Sequence, residues 1–435
     1  MKKIALSTLG CKVNQYESAS ILSTLDKERC EIVPFSHQAD IYIINTCAVT
    51  SRAGQQSRQL IRKALKQNPE ARLIVTGCYA QMNSQSILEI TDQQACIIGN
   101  GYKDLISEGA LREEKCDLTM LVGNIAQKKD VCHLPVTDFK DRTRAYLRIQ
   151  DGCNNFCTYC IVPYTRGRSR SVPLPDLLDQ MQTYETNGYR EVVITGINVG
   201  KYGLDQDGDE TIYTLLDRLC RDFPKIRIRL SSVEPTEINE SLLQLLEERN
   251  NFMPHLHIPL QSGDDEVLSQ MNRRYTTQQF REVVLAANKV MPLGSMGCDI
   301  LGGFPGESEK AHLNTLELLS DLPITYLHVF PYSRRPGTLA ASMKDQIPTQ
   351  IKKERVAALR ALDQRKRLDF HKRNKDTVHD VLVERRNRKD KSLQGFSDNY
   401  LPVRCQGPSS LIHQVVQVQI TDTNNDYVQG VLIEK

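Results

Sequence analysis

The chain has 435 residues, with 56 Lys and Arg against 53 Asp and Glu, for a net charge of +3. With 40% hydrophobic and 25% charged residues it has an ordinary globular composition, which excludes a disordered or fibrous chain. No run reaches transmembrane length, and Met1-Lys-Lys-Ile-Ala-Leu-Ser7 is too short an apolar run for a signal peptide.

The expectation is therefore a cytoplasmic protein of about two to four domains with no membrane partner. In that setting its 13 cysteines point to metal or redox chemistry rather than a disulfide framework. We divide the chain into residues 1–115, 139–369 and 372–435.

The first division reads as an open parallel α/β domain. Lys3–Thr8, Ile41–Asn45 and Leu73–Thr76 are short β-branched runs separated by helical stretches. Each ends just before a cysteine: Cys11, Cys47 or Cys78. In an open parallel sheet ligands bind beyond the carboxyl ends of the strands, so these three thiols should meet at one edge. Any one of them alone reads as a buried small hydrophobe; the repeated placement is what argues for a site. Cys30, Cys96, Cys116, Cys132, Cys220, Cys298 and Cys405 show no such pattern and are assigned to packing.

From 144 to 335 strand and helix alternate six times. The strands are Ala145–Ile149, Val192–Thr195, Ile226–Leu230, Leu256–Leu260, Cys298–Leu301 and Tyr326–Phe330, with helices such as Leu174–Asn187, Ser241–Arg249 and Gln278–Val290 between them. Six βα units are too few to close a TIM barrel, so a partial (β/α)6 barrel with a lateral opening is predicted. Just past its first strand lie Cys153, Cys157 and Cys160, spaced C-x3-C-x2-C with Tyr159 before the last. Three thiolates hold three irons of a cubane cluster and leave the fourth iron open. A zinc knuckle would need a fourth ligand nearby, and the sequence offers none.

Polar or glycine-rich loops follow the other strands and bring Asn198, Glu234, Gln261 and Gly303 to the same end, where such a barrel carries its site. Each is a candidate contact for a bound cofactor, although a helix cap or tight turn would use the same residue types. Arg166 and Arg168 form a basic point close to the cysteines.

Ile351–Phe370 is a long helical pattern. Thr377–Glu384, Gly395–Arg404 and Val415–Glu434 then read as the strands of a small β-barrel. Lys344 to Lys391 holds 16 Lys and Arg against 8 Asp and Glu. Arg385, Arg386 and Arg388 sit in its densest part, as a phosphate-binding loop would require.

The motifs Leu9-Gly-Cys-Lys-Val-Asn14, Asn45-Thr-Cys47, Gly77-Cys78, Cys157-Thr-Tyr-Cys-Ile-Val-Pro163, Arg166-Gly-Arg-Ser-Arg-Ser171 and Phe330-Pro-Tyr-Ser333 together resemble the methylthiotransferase family of radical S-adenosylmethionine (SAM) enzymes. The resemblance spans nearly the whole chain, and the last division is similar to the TRAM domain, an RNA-binding module. It implies two 4Fe-4S clusters, an auxiliary one on Cys11, Cys47 and Cys78 and a SAM-cleaving one on Cys153, Cys157 and Cys160. It also implies SAM as cofactor and flavodoxin or ferredoxin as electron donor, with the enzyme acting as a monomer.

Among the family's branches, Leu9-Gly-Cys-Lys-Val-Asn-Gln-Tyr-Glu17 is most similar to the one that modifies threonylcarbamoyl-adenosine. The implied reaction is methylthiolation of carbon 2 of that base at tRNA position 37, in the anticodon loop. A 5′-deoxyadenosyl radical from SAM would activate the non-acidic C–H bond. Two other readings use the same residues: a methylthiotransferase acting on an aspartate of a ribosomal protein, and a non-catalytic iron–sulfur regulator that binds RNA.

Overall fold

The computed structural model describes residues 1–112, 120–140 and 142–433; Cys116 and Glu434 of the expectations above lie outside them. Its first sheet has six strands, β1 (Lys2–Thr8), β2 (Cys30–Ile32), β3 (Ile41–Thr46), β4 (Arg72–Gly77), β5 (Cys96–Ile98) and β6 (Met120–Leu121). They run in the order β2-β1-β3-β4-β5-β6, with every pair parallel. The three expected strands form its centre. The flanking ones have only two or three residues, too few to leave a readable pattern.

Every residue of β3 is buried, as expected of a central parallel strand covered on both faces. Ile41 and Ile43 pack with Ile4 and Ile74 on one face, while Tyr42 and Ile44 pack with Ala5 and Val75 on the other. Between β1 and β2 runs helix α1 (Lys12–Thr24).

The central region begins with β7 (Arg144–Arg148) and a short antiparallel pair, β8 (Gln150–Asp151) and β9 (Arg170–Ser171). Then follow β10 (Glu191–Thr195), β11 (Arg227–Leu230), β12 (His255–His257), β13 (Ser295–Gly302) and β14 (Tyr326–Pro331). Two parallel sheets, β7-β10-β11 and β12-β13-β14, are linked by the parallel bridges Ile228–Phe252 and Ser232–His257. The result is the six-stranded arc of a partial (β/α)6 barrel. β12 is shorter than expected, and Pro254 and Pro259, which lack an amide proton, bracket it.

A helix, Thr349–Arg373, leads to a closed barrel of β15 (Val378–Arg386), β16 (Leu393–Ser397), β17 (Pro402–Cys405), β18 (Val415–Thr423) and β19 (Val428–Leu432). The expected strand Gly395–Arg404 is in fact β16 and β17, parted by a turn in which Tyr400 takes φ +71°.

This small barrel docks under the central one through a buried charge cluster. Glu191 pairs with Arg229 at 2.8 Å, Arg227 at 3.1 Å and Arg144 at 3.7 Å. Arg229 also donates to the carbonyls of Asp398 and Ser397, and Arg144 reaches Glu384 at 2.8 Å. Burial alone would raise the Glu191 carboxyl, but the guanidiniums outweigh it and hold it down at about 2.

Candidate active site

β1, β3 and β4 are neighbours in register, with Thr8 opposite Asn45 and Thr46 opposite Gly77. The cysteines that follow them therefore leave the sheet at one carboxyl edge. Cys47 and Cys78 are buried and Cys11 is exposed. Gly10 lies against Cys47 so closely that an added Cβ would sit 3.0 Å from its Sγ. Gly77 has φ +95°, and a Cβ there would run into the carbonyl oxygen of Thr46, so the turn into Cys78 needs glycine.

Asn14 locks the edge by donating to the carbonyls of Leu9 at 2.7 Å and Thr46 at 3.0 Å. Asn100 donates to the Thr165 carbonyl at 2.7 Å while its Nδ2 lies 3.9 Å from Cys78 Sγ. Burial, aided by Cys78, pushes the Cys47 thiol up to about 11. A metal centre must displace that proton, so loading is favoured as pH rises.

The second group is local. Gln150 organises it: its Oε1 accepts from the amides of Ile197 and Asn198, and its Nε2 donates to the carbonyl of Gly152 and to Ser169 Oγ. That tie brings Asn198 beside Cys153, with Nδ2 at 4.0 Å from the sulfur. Burial, followed by the neighbouring Cys157, pushes the Cys160 thiol up to about 12. Arg273, which the sequence reading did not select, donates to Cys157 Sγ at 3.3 Å and pairs with Glu234. Only its place in Asn272-Arg-Arg-Tyr275, a basic pair just before a helix, hinted at it. Burial raises the Glu234 carboxyl, and Arg273 opposes that shift.

The donor sets suit clusters better than single ions. Among the described residues each group offers three thiols, and neither is gathered within 4.8 Å as a single ion would require. Among the described residues only His257, Asp299 and His328 are gathered that tightly.

The other expected contacts divide. Tyr159 packs edge-on against Phe304, with ring centroids 6.4 Å apart. Gln261 takes φ +67° beside β13, with its amide donating to the Asp299 carbonyl. The amide of Gly303 donates to the Glu307 carboxylate at 2.9 Å, so that donor is not free for a ligand.

Arg166 was expected to touch RNA, but it is 1% exposed and cannot. Its guanidinium binds Glu17 at 3.0 Å, Asp151 at 2.9 Å and Asn14 Oδ1 at 2.6 Å, joining α1 to the cluster loop. Glu17 also pairs with Lys103 and, at 3.9 Å, with Arg148. Arg168, two residues on, is exposed and stacks on Phe156 at 4.7 Å, and Phe156 meets the half-exposed Tyr164. Arg385, Arg386 and Arg388 are exposed on the hairpin of β15 and β16. Of the cysteines assigned to packing, Cys30, Cys220, Cys298 and Cys405 are buried, and Cys96 and Cys132 are partly so.

A six-stranded parallel arc with C-x3-C-x2-C cysteines at the carboxyl ends of its strands defines a radical SAM enzyme. Residues 147–319 match the Radical SAM superfamily, residues 372–433 the TRAM domain, and residues 3–99 a family described only as uncharacterized, UPF0004. The chain is 38% identical to the threonylcarbamoyladenosine tRNA methylthiotransferase MtaB of Aquifex aeolicus, over 93% of this chain and 97% of that one. It is 32% identical to the tRNA-2-methylthio-N(6)-dimethylallyladenosine synthase of Oceanobacillus iheyensis, over 100% of this chain and 84% of that one. In fold it is similar to the radical SAM methyltransferase TsrM of Kitasatospora setae, with TM-score 0.56 and 13% identity over 78% of this chain and 77% of that one.

The chain belongs to the radical SAM tRNA methylthiotransferase family. It is an enzyme that uses SAM and a 4Fe-4S cluster, as the family implies. Among the described residues no helix is long and apolar enough to cross a membrane.

Proposed function

We propose that this enzyme methylthiolates carbon 2 of threonylcarbamoyl-adenosine at position 37 of tRNA, using two SAM and two 4Fe-4S clusters. The observation that carries the reading is the presence, in one chain, of two three-thiol groups, each at the carboxyl edge of its own parallel sheet. When bound, one cluster with SAM supplies one-electron C–H activation and the other supplies sulfur. Cys153, Cys157 and Cys160 hold the first, and Cys11, Cys47 and Cys78 the second. Higher identity to a threonylcarbamoyl-adenosine enzyme than to a dimethylallyl-adenosine one supports the choice of base.

The chain's own groups bind, orient and exclude water. Glu234 and Arg273, opposite charges side by side next to Cys157, suit the zwitterionic end of SAM. Asn198, Gln261 and Tyr159 complete that pocket, and Gly303 contributes as the turn that seats Phe304 against Tyr159. Arg168, Phe156 and Tyr164 offer a cationic and aromatic platform to an unstacked anticodon-loop base. Arg385, Arg386 and Arg388 take phosphates, which carry most of the affinity for RNA.

Mass spectrometry of tRNA nucleosides from cells with and without the gene tests the reaction. We expect loss of the 2-methylthio nucleoside and accumulation of its threonylcarbamoyl precursor. An unchanged nucleoside profile with a lost ribosomal-protein modification would replace this reading.

A further inference from the structure

On β12, β13 and β14 alternate side chains take opposite faces. Leu256, Cys298 and Leu327 pack in the main core with Phe280 and Leu319 of the covering helices. The other set, His255, His257, Asp299, Tyr326, His328 and Phe330, therefore faces the barrel lumen. Tyr326 can lie across β13 because its neighbour there is Gly297, where a Cβ would sit 2.0 Å from the tyrosine ring.

These side chains form a line. His255 Nε2 and His257 Nδ1 share the Tyr326 hydroxyl at 2.9 and 3.2 Å. His257 Nε2 lies 2.9 Å from Asp299 Oδ1, and His328 Nδ1 lies 3.3 Å from the same oxygen. Burial would raise the Asp299 carboxyl, but the two imidazoles beside it hold it below the usual carboxylate range. At the closed end His255 is buried, with its ring 4.5 Å from that of Tyr400. At the open end His328 and Phe330 are each 47% exposed, with ring centroids 6.4 Å apart and planes at 71°. A carboxylate facing Nδ1 keeps the proton of a neutral His328 there and leaves Nε2 as a lone-pair acceptor. The two exposed rings thus make a corner with one apolar face and one acceptor.

The corner also lies on the way to the assembled cysteines. Three residues past Phe330, Ser333 Oγ accepts from the amide of Ser51, four residues past Cys47. Adenine offers N–H donors only on N6, and a singly substituted N6 keeps one of them. We propose that His328 and Phe330 hold the target adenine, with Phe330 stacked on its face and His328, oriented by Asp299, accepting at Nε2 from the N6–H. The inference rests on the adenosine substrate proposed above and names the residues that seat its ring. The Phe156 platform is left to a flanking base.

The test is equilibrium binding of the reconstituted holoenzyme to three anticodon stem-loops. They carry adenosine, purine ribonucleoside or an abasic residue at the target position; purine keeps the ring and lacks the exocyclic amino group. Wild type should bind the adenosine loop about fivefold more tightly than the purine loop, and the abasic loop least. His328→Leu should make adenosine and purine equal, and His328→Gln, which returns an acceptor, should keep part of the preference. Phe330→Ala should weaken adenosine and purine alike by about tenfold and leave the abasic loop unchanged. Each preference is a ratio of affinities within one preparation, so a variant that loads fewer clusters still reports it.

A preference that survives His328→Leu, or a loss by Phe330→Ala that extends equally to the abasic loop, overturns the proposal. Metal analysis should find the same ions in wild type and His328→Leu. A divalent ion lost with the imidazole would make His257, Asp299 and His328 an ion site and overturn it as well. Product formation by wild type on a threonylcarbamoyl-adenosine stem-loop separates the two levels. Its absence refutes the substrate itself, whereas product made by an enzyme whose variants keep every preference refutes only the assignment of these residues.

Discussion

The two cysteine groups are built in opposite ways. Cys153, Cys157 and Cys160 lie in one loop of eight residues, with Gln150 a few positions before them as its organiser. Cys11, Cys47 and Cys78 are drawn from three strands and meet only because β1, β3 and β4 are adjacent and parallel. The first group is a property of local sequence, the second of the fold. Its loops are further clamped across the domain boundary by Glu17, Asn14 and Arg166. A local site should therefore tolerate distant damage that an assembled site does not.

The largest expected effect separates the two by chemistry. Cys157→Ala should abolish SAM cleavage, read as 5′-deoxyadenosine by mass spectrometry. Cys47→Ala should keep cleavage and lose methylthio transfer. Normal methylthiolation by Cys47→Ala would remove the assembled group from the reaction.

Next in size is the clamp. Glu17→Gln removes the shared partner of Arg166, Lys103 and Arg148, all of them buried. Leaving buried charges uncompensated costs about 3–5 kcal/mol, so the variant should unfold at clearly lower denaturant. Reconstituted protein should lose iron from the Cys11 group before the Cys153 group, as iron counting with a Cys47→Ala background would reveal. Equal loss from both would mean that the clamp serves the whole molecule and not one edge.

The same contrast explains what could be read from sequence. The C-x3-C-x2-C loop was legible because its three cysteines fall within one short stretch of sequence, and the three strand-ending cysteines could be placed at one sheet edge because the runs before them are β-branched. β2, β5 and β6 escaped because two or three residues carry no period, and tertiary pairing alone defines them. Arg166 was misjudged because a charged residue in a basic motif reads as surface. Its partners Glu17 and Asp151 lie 149 and 15 residues away, and only the fold brings Glu17 to it. Arg273 was missed for the same reason, since its meaning comes from Cys157 and Glu234.

For RNA the local patch should again outweigh the single assembled contact. Neutralising Arg385, Arg386 and Arg388 together removes three exposed cations from one hairpin. The slope of log affinity against log salt should flatten by about two units if all three meet phosphates of a single strand. An unchanged slope would exclude the hairpin from the interface.

Arg168→Ala should have the smallest effect and the most informative one. A single phosphate contact would change the slope by about 0.7. Stacking on Phe156 predicts something else, because the guanidinium also covers the ring that would face an anticodon base. Loss of that cover should weaken binding at every salt concentration with little change of slope, and Phe156→Ala should do the same without adding to it. The contrast with Arg166→Ala completes the argument. Arg166 is two residues away but buried, so its removal should appear as lost stability with no specific RNA defect. If the two arginines behave alike, exposure does not decide their roles, and the division between local contact and assembled clamp fails at the place where the two kinds of site touch.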